Sequence, residues 1–254
     1  MLESYIRSRL TEKKILLMTH IVIGYPSLDA SLEIVRTMVN AGVDLMELQI
    51  PFSEPIADGP MILKANQEAL ADGVTVPQCL EFGRTVAGQF SIPFLYMTYY
   101  NVLFKYGVDR FADHMQAAGL KGAIVPDLPP EEAGDYLNAM GRCGLSPIFL
   151  FSPTTTETRM QAIAKVADGF VYCVARKGVT GDHTAFSQEM DRYLARCRQA
   201  TDLPLALGFG VKDRTDIDFL RGKVDIAVIG TQTIRIVEEK GAAAVGDFIR
   251  GLRD

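Results

Sequence analysis

Short apolar runs rich in β-branched residues alternate with stretches of helical periodicity along the whole chain. Apolar residues recur every second position in the first kind of segment and every three or four positions in the second. The predicted strands are residues 16–23, 44–50, 93–98, 122–126, 147–151, 170–174, 204–207 and 225–229, and helical patterns cover 30–41, 108–118, 131–142, 157–167 and 189–200. Helix ends just before the next strand are marked by Gly42, Gly119, Gly144 and Gly169. The chain is therefore predicted to repeat one strand–helix unit throughout.

Eight such units in 254 residues match a (β/α)8 TIM barrel, an α/β fold that takes about 250 residues. A doubly wound open sheet is the alternative. It usually has fewer strands and carries a glycine fingerprint after the first strand, which Gly24-Tyr25-Pro26 does not supply. Without any linker or low-complexity tract, residues 1–254 are predicted to form one domain. Surplus length after the second and sixth strands, and before the first, predicts extra helical segments there.

Composition excludes several classes of function. The net charge is −5 and the basic residues are scattered, so nucleic-acid binding is not expected. No apolar run approaches the ~18 residues that cross a bilayer, and the N-terminus lacks a leader pattern, so we expect a cytoplasmic protein without a membrane span. Cys79, Cys143, Cys173 and Cys197 lack metal-ligand or disulfide spacing and are predicted to be reduced and mostly buried. No metal site is predicted.

The second predicted strand places a carboxylate where barrels carry their chemistry. Alternation puts Met46, Leu48 and Ile50 on one face and Glu47 and Gln49 on the other. The apolar face suits packing on helices, so Glu47 should point into the barrel near its C-terminal rim. Removal from water favours a neutral carboxyl, which suits a group that both donates and accepts a proton. The alternative is a structural glutamate paired with arginine or lysine.

A second carboxylate follows in a loop stiffened by proline and glycine. Asp58 lies eleven residues after Glu47 and directly before Gly59-Pro60. Such a loop is suited to holding a carboxylate over the barrel mouth. An aspartate at this place is equally typical of a turn or a helix cap. The residues alone leave both interpretations open.

Glycines follow the last two predicted strands, in Gly208-Phe209-Gly210 and in Gly230-Thr231. Small residues let backbone N–H groups approach an anion, and helix N-termini add favourable partial charge. The loops after strands seven and eight are the usual phosphate site of barrels that act on phosphorylated substrates. Residues 178–181, in the long stretch after strand six, are placed to close over the same corner. We therefore expect a phosphate site there.

Segments that match one known family run nearly from end to end of the chain. Glu47-Leu48 and residues 51–60 match the signature around that family's catalytic glutamate. The other matches are residues 97–101, 124–132, 153–156, 169–172 and 208–210, together with Arg176 and residues 178–181. The sequence thus resembles the tryptophan synthase alpha subunit family. The length of the match makes the resemblance more specific than any one motif.

The resemblance implies reversible cleavage of indole-3-glycerol phosphate to indole and glyceraldehyde 3-phosphate. It implies Glu47 as the general acid and base, and Asp58 as the group that holds the indole N–H. It assigns substrate binding to Tyr172, Tyr99, Thr180, Gly181, Gly210, Gly230 and Thr231, and support of the loop after strand six to Asp127. It also implies a beta subunit partner in an alpha-beta-beta-alpha complex. Pyridoxal phosphate is expected on that partner, with no cofactor on this chain.

Four residues depart from the family pattern. Gln49 stands where the family usually has glycine, two residues beyond Glu47 on the same face. His20 and Tyr25 replace a usual apolar residue and a usual aspartate, and Lys177 stands where a small residue is usual. The indole pocket is therefore predicted to be more polar than in the family at large. Both acids remain.

Two other hypotheses compete with acid–base cleavage. Lys177 follows strand six, a position from which a Schiff-base aldolase could work. Alternatively, the altered pocket residues Gln49 and His20 suit a barrel that mainly binds and activates a partner, with slow chemistry of its own. Borohydride trapping separates the first from acid–base cleavage, and indole release with and without a beta subunit tests the second.

Overall fold

Eight parallel strands close into a barrel in chain order, with β8 pairing back to β1. This computed structural model describes residues 1–175, 183–208 and 210–253, and side chains within those ranges outside 183–187. The strands are β1 (Leu16–Val22), β2 (Leu45–Gln49), β3 (Phe94–Met97), β4 (Gly122–Ile124), β5 (Ser146–Phe151), β6 (Val171–Val174), β7 (Leu205–Gly208) and β8 (Ile226–Ile229). Each lies within two residues of its predicted bounds. The predicted TIM barrel is confirmed and the open sheet is wrong.

Helices surround the barrel. They are α1 (Leu2–Leu10), α2 (Leu28–Asn40), α3 (Pro60–Ala71), α4 (Val76–Gln89), α5 (Tyr100–Tyr106), α6 (Val108–Ala118), α7 (Gly134–Arg142), α8 (Glu157–Ala164), α9 (His183–Ala200), α10 (Arg214–Leu220), α11 (Thr231–Lys240) and α12 (Ala242–Arg253). Two of them, α1 and α3, are the extra segments predicted at the N-terminus and after the second strand. Between β6 and β7 the described helix is α9, with 18 residues. Within the described ranges, every helix is too short or too polar to cross a membrane.

Alternation along the strands divides the core into two parts. Met46 and Leu48 of β2 face outward into the large cluster between sheet and helices. Leu45 of the same strand lies in a second cluster inside the barrel, with Leu16 and Met18 of β1. The four cysteines are buried and unbridged, as predicted, and are Cys79, Cys143, Cys173 and Cys197. The inner cluster fills the lower barrel.

The N-terminal end of the barrel is closed by α1. Leu2 and Ile6 are buried in the inner cluster together with Phe170. Gly169, just before β6, has φ +81°, and a Cβ there would lie 2.9 Å from Leu2 Cδ2. A side chain at that position would therefore crowd Leu2 of α1 and Ser146 of β5, in a backbone conformation suited to glycine. Helix α1 therefore closes the N-terminal end of the barrel with apolar side chains, and the C-terminal end is the open end.

A buried carboxylate also lies at this closed end. Asp44 is 1% exposed and accepts a hydrogen bond from the backbone N–H of Leu17 at 2.9 Å. Lys13 and Arg253 contact the two carboxylate oxygens, and Arg9 lies 3.6 Å away. Three cations and a backbone amide compensate the cost of burying this charge. Asp44 thus ties α1, α12 and the start of β2 together.

Candidate active site

Glu47 lies at the barrel mouth, on the inner face of β2. Its neighbours Met46 and Leu48 pack outward, as strand alternation predicts, and Glu47 is 3% exposed. The register of the first two strands pairs it with His20 of β1, which is also 3% exposed. His20 Nδ1 lies 3.1 Å from Glu47 Oε1. Among the described residues no lysine or arginine pairs with Glu47, so the structural ion pair considered above is not found there.

Tyr172 reaches Glu47 from the far side of the barrel. It stands on β6, and its hydroxyl points at Glu47 Oε1 across 3.5 Å. Burial, followed by the charges of Glu47 and Asp58, raises the pKa of the Tyr172 phenol well above its ordinary value. The hydroxyl therefore stays protonated and is a donor toward the carboxylate. A Cβ at Gly208 would lie 2.9 Å from the Tyr172 oxygen, so this glycine makes room for the ring.

Asp58 is brought to the mouth by the loop between β2 and α3. Gln49, on the same inner face as Glu47, donates from Nε2 to Asp58 Oδ2 at 2.6 Å. The loop is fastened by Asn66 of α3, whose side-chain oxygen accepts from the Phe52 backbone N–H at 2.9 Å. The N-cap of α3 is Gly59, which makes no side-chain cap. Asp58 is therefore not the helix cap that its position before Gly-Pro equally suggested.

Tyr99 supports the loop from below. Its hydroxyl accepts a hydrogen bond from the Ala57 backbone N–H at 3.1 Å, and its ring stacks on Phe52 with centroids 5.0 Å apart. Burial, with the charge of Asp58, raises the pKa of Tyr99. Tyr99 thus fixes the height of the Asp58 loop over the barrel. Its ring is 1% exposed, which places it under the site as a support.

The electrostatics of the mouth distinguish Asp58 from His20. Burial is the main influence on Asp58 and raises the pKa of its carboxyl, while the Gln49 amide and His20 oppose that rise. Burial is also the largest influence on His20 and lowers its pKa. The hydrogen bond and charge of Glu47 and the charge of Asp58 outweigh it, so the pKa of His20 stands above the ordinary imidazole value. The site therefore favours a positive charge between two carboxylates.

Glycines form one side of the mouth, at the ends of β7 and β8. Gly208 and Val228 pair in register, which brings the two following loops together. Gly210 has φ +83°, a backbone conformation suited to glycine, with nothing within 4 Å of a notional Cβ. Gly230 is the N-cap of α11, and Thr231 is the first residue of that ten-residue helix. The predicted phosphate corner thus has an open backbone and a helix N-terminus.

Comparisons with known proteins agree with this arrangement. The family model described as tryptophan synthase alpha chain matches residues 6–249. The chain is 65% identical over 253 residues to the tryptophan synthase alpha chain of Syntrophotalea carbinolica, with 100% of each covered. Among solved structures, tryptophan synthase subunit alpha from Legionella pneumophila has a TM-score of 0.90 at 28% identity, covering 99% of this chain and 96% of that one. A tryptophan synthase structure from M. tuberculosis has a TM-score of 0.88 at 30% identity, with 99% of each covered.

The chain belongs to the tryptophan synthase alpha chain family. Of the residues that this family resemblance assigned, the structure brings Glu47, Asp58, Tyr99 and Tyr172 to one place. Asp127 lies beside them, where its Oδ1 accepts from the backbone N–H of Tyr100 at 2.8 Å and so begins α5. Within the described residues, no group of three or more His, Cys, Asp or Glu side chains could hold a metal ion.

Some tryptophan synthase alpha chain positions lie outside the described residues. They are Thr180 and Gly181, assigned to the substrate, and Lys177, the candidate Schiff-base lysine. The support of the loop after strand six by Asp127 therefore stays a prediction. Phe209, between the two glycines after β7, is also outside the described residues.

Sequence reasoning noted His20 and Gln49 as departures from the tryptophan synthase alpha chain pattern but did not identify their partners. Each contacts one of the two acids: His20 contacts Glu47, and Gln49 contacts Asp58. A signal was present, since Leu16, Met18 and His20 alternate toward the barrel interior along β1. The sequence pattern does not give the register of β1 against β2, which is what pairs His20 with Glu47. Tyr25, the other departure, is directed away from the mouth and contacts Glu238 of α11.

Proposed function

We propose that this chain is a lyase that cleaves indole-3-glycerol phosphate reversibly to indole and glyceraldehyde 3-phosphate, as the alpha subunit in tryptophan biosynthesis. One observation carries the proposal: Glu47 is buried at the barrel mouth without a lysine or arginine partner among the described residues, and Asp58 faces the same mouth. Membership of the tryptophan synthase alpha chain family supports the same reaction.

Breaking the carbon–carbon bond requires two proton transfers. A proton is added to indole C3, so that the ring leaves with the electron pair of the broken bond. A proton is removed from the glycerol hydroxyl, so that its carbon becomes the aldehyde of glyceraldehyde 3-phosphate. Glu47 is proposed to perform both transfers, since a buried carboxyl has little competition from water. No electron acceptor or external proton is needed, because the proton lost by the hydroxyl replaces the one given to indole.

Asp58 is proposed to hold the indole N–H and to stabilise the positive charge that the ring develops on protonation. Gln49 supports this role, because its hydrogen bond favours the ionised carboxylate against the effect of burial. Tyr172, within reach of Glu47 Oε1, is proposed to line the site near the reacting bond. Two carboxylates thus divide the work, one moving protons and the other keeping its charge.

The phosphate of the substrate is proposed to bind at the glycine side of the mouth. Gly210, Gly230 and Thr231 are suited to it, because nothing lies within 4 Å of a notional Cβ at Gly210 and α11 begins at Thr231. Gly181 and Thr180 belong to the same proposal from the family resemblance. Anchoring a group remote from the reacting bond supplies binding energy that orients the substrate.

The proposal extends to assembly and location. We propose a beta subunit partner in an alpha-beta-beta-alpha complex, with pyridoxal phosphate on that partner and no cofactor on this chain. We also propose that residues 1–254 act as one domain, because α1 and α12 both join the barrel through Asp44. A cytoplasmic location stays a prediction from the sequence.

The test is the Glu47→Gln variant. Indole release from indole-3-glycerol phosphate should fall by roughly 10³-fold, within the range expected for loss of a general acid and base. Binding of the uncleavable analogue indole-propanol phosphate should remain, since the anchoring residues are intact. Glu33→Gln, an exposed position on α2, is the matched control and should keep the wild-type rate. Near-normal turnover by Glu47→Gln would refute the mechanism.

Two further measurements address the other hypotheses. A covalent adduct after borohydride treatment with substrate would favour a Schiff base, and we expect none. Assays with and without a beta subunit measure how far the chain acts alone. Full activity of the isolated chain would exclude a barrel whose main role is to activate a partner.

A further inference from the structure

His20 is a buried titratable group at the barrel mouth to which the proposed mechanism gives no task. Its imidazole is 3% exposed, and Nδ1 lies 3.1 Å from Glu47 Oε1. Its other nitrogen, Nε2, is buried, and the side chain of Gln49 is a further hydrogen-bonding group that faces the ring. The ring is thus held among the polar side chains of the mouth, in direct contact with Glu47.

We propose that His20 is a positioning residue for the lyase reaction, in which Nδ1–H donates to Glu47 Oε1, orients the carboxyl and stabilises its ionised form between the two proton transfers. This inference rests on the proposed function of Glu47. In the cycle the carboxylate exists after Glu47 has given its proton to indole C3 and before it takes the hydroxyl proton. A charge-assisted hydrogen bond is stronger to that carboxylate than to the neutral acid, so it lowers the energy of this state.

The surroundings favour a donor at this place. Two carboxylates face His20, Glu47 from β2 and Asp58 from the following loop, and both favour protonated imidazole. The other elements packed against it bring no charge among the described residues. Ile62 of α3 and Gly230 at the end of β8 lie against the His20 side chain, and the Thr233 hydroxyl of α11 lies near its backbone carbonyl.

The protons balance without any change in His20. Its Nδ1–H remains in place through both transfers, as donor to Oε1. Glu47 loses one proton to indole C3 and regains one from the glycerol hydroxyl, so the pair returns to its starting state. His20 therefore needs no exchange with solvent, which suits a buried ring.

The first test uses His20→Phe and His20→Asn. Phenylalanine fills the same space without a donor, so kcat for indole release should fall at least tenfold with KM changed less than about threefold. Asparagine carries an amide N–H close to the position of Nδ1 and should restore most of kcat. His114→Asn on α6 is the matched control. Thermal melting checks that each variant is folded.

The pH profile separates positioning from mere packing. Loss of the imidazolium charge leaves the Nδ1–H donor but weakens its hydrogen bond to the Glu47 carboxylate, so wild-type kcat should fall on the alkaline side. His20→Asn has no titrating ring, so this fall should disappear while the rate at its maximum is largely kept. Wild-type kcat in His20→Phe, or an unchanged alkaline fall in His20→Asn, would overturn the proposal.

A second readout does not depend on activity. The chain has three histidines, so the ring of His20 can be followed by ¹⁵N NMR and assigned by its absence in His20→Phe. We expect Glu47→Gln to lower the pKa of His20, because the paired carboxylate is lost. An unchanged titration would refute the pairing. If the wild type released no indole, the proposed function would fail, whereas this titration would still decide the contact.

Discussion

Asp44 and Glu47 are two buried carboxylates only three residues apart, yet their surroundings differ completely. Asp44, at the closed end of the barrel, is contacted by Lys13 and Arg253 and by the backbone N–H of Leu17. Glu47, at the open end, is contacted by His20 and Tyr172, which are both able to donate a hydrogen bond to it. Cations compensate the Asp44 carboxylate within the fold, whereas Glu47 has only hydrogen-bonding neighbours and faces the open end of the barrel. The difference indicates that Asp44 stabilises the fold and that Glu47 is the carboxylate suited to proton transfer.

Substituting each carboxylate by its amide should give the largest effects, on stability at Asp44 and on activity at Glu47. Asp44→Asn removes the carboxylate that Lys13, Arg9 and Arg253 surround, and we expect the free energy of unfolding to fall by about 3 kcal/mol. The lower part of the range for buried pairs applies, because those cations reach solvent. Activity per folded molecule should stay within about twofold. Denaturant unfolding and indole release measure the two effects.

Glu47→Gln should give the opposite pattern, with activity lost and stability kept. Asp247→Asn is a surface control, since this carboxylate pairs with Arg250 and its side chain is 81% exposed. It should change stability by less than about 0.5 kcal/mol. If Asp44→Asn lost turnover while remaining as stable as wild type, the contrast between the two carboxylates would be wrong.

A smaller effect is expected at Gly208, which lies under Tyr172. An alanine Cβ would stand 2.9 Å from the Tyr172 oxygen and 3.0 Å from its Cε1, so the ring must shift and its contact with Glu47 must change. We expect kcat for indole release to fall roughly tenfold, since small displacements in a reacting site are costly. The double variant Gly208→Ala with Tyr172→Phe should recover part of the loss, because the closest atom is the hydroxyl. Gly88→Ala on α4, where nothing lies within 4 Å, should leave kcat unchanged.

Most of the barrel could be predicted from the sequence because each strand is a local apolar run between turn residues. Helix α5 was missed, since its seven residues follow β3 directly and its first N–H is bound by Asp127 from another strand's loop. The predicted helix over 131–142 begins later, because Pro130–Glu132 form a 3-10 turn before α7. Helix starts of this kind depend on contacts or turns that periodicity does not describe.

The active-site residues likewise divide into those that local patterns predict and those that depend on contacts between distant segments. The inward direction of Glu47 follows from alternation within one strand, so it was predictable. The contact with His20 depends on the register between two strands, and the Asp58 position depends on a loop that Asn66 of α3 fastens. Both are relations between segments distant in sequence. Residue patterns identified the acids, whereas only the assembled barrel identifies what each acid contacts.

The smallest effect is expected from Gln49→Leu, which removes the donor to Asp58 while keeping most of the side-chain volume. Because this hydrogen bond lowers the pKa of Asp58 against burial, its loss should raise that pKa further. Ionised Asp58 exists above its pKa, so the acid-side fall of kcat/KM should move to higher pH, with little change at neutral pH. Gln116→Leu is the matched control, since its amide donates to the Cys143 carbonyl at 2.9 Å on the outer helices. If kcat/KM of Gln49→Leu fell at the same acidic pH as in the wild type, Asp58 would keep its charge without the hydrogen bond from Gln49. The charge of Asp58 would then be fixed by its surroundings as firmly as that of Asp44 at the closed end.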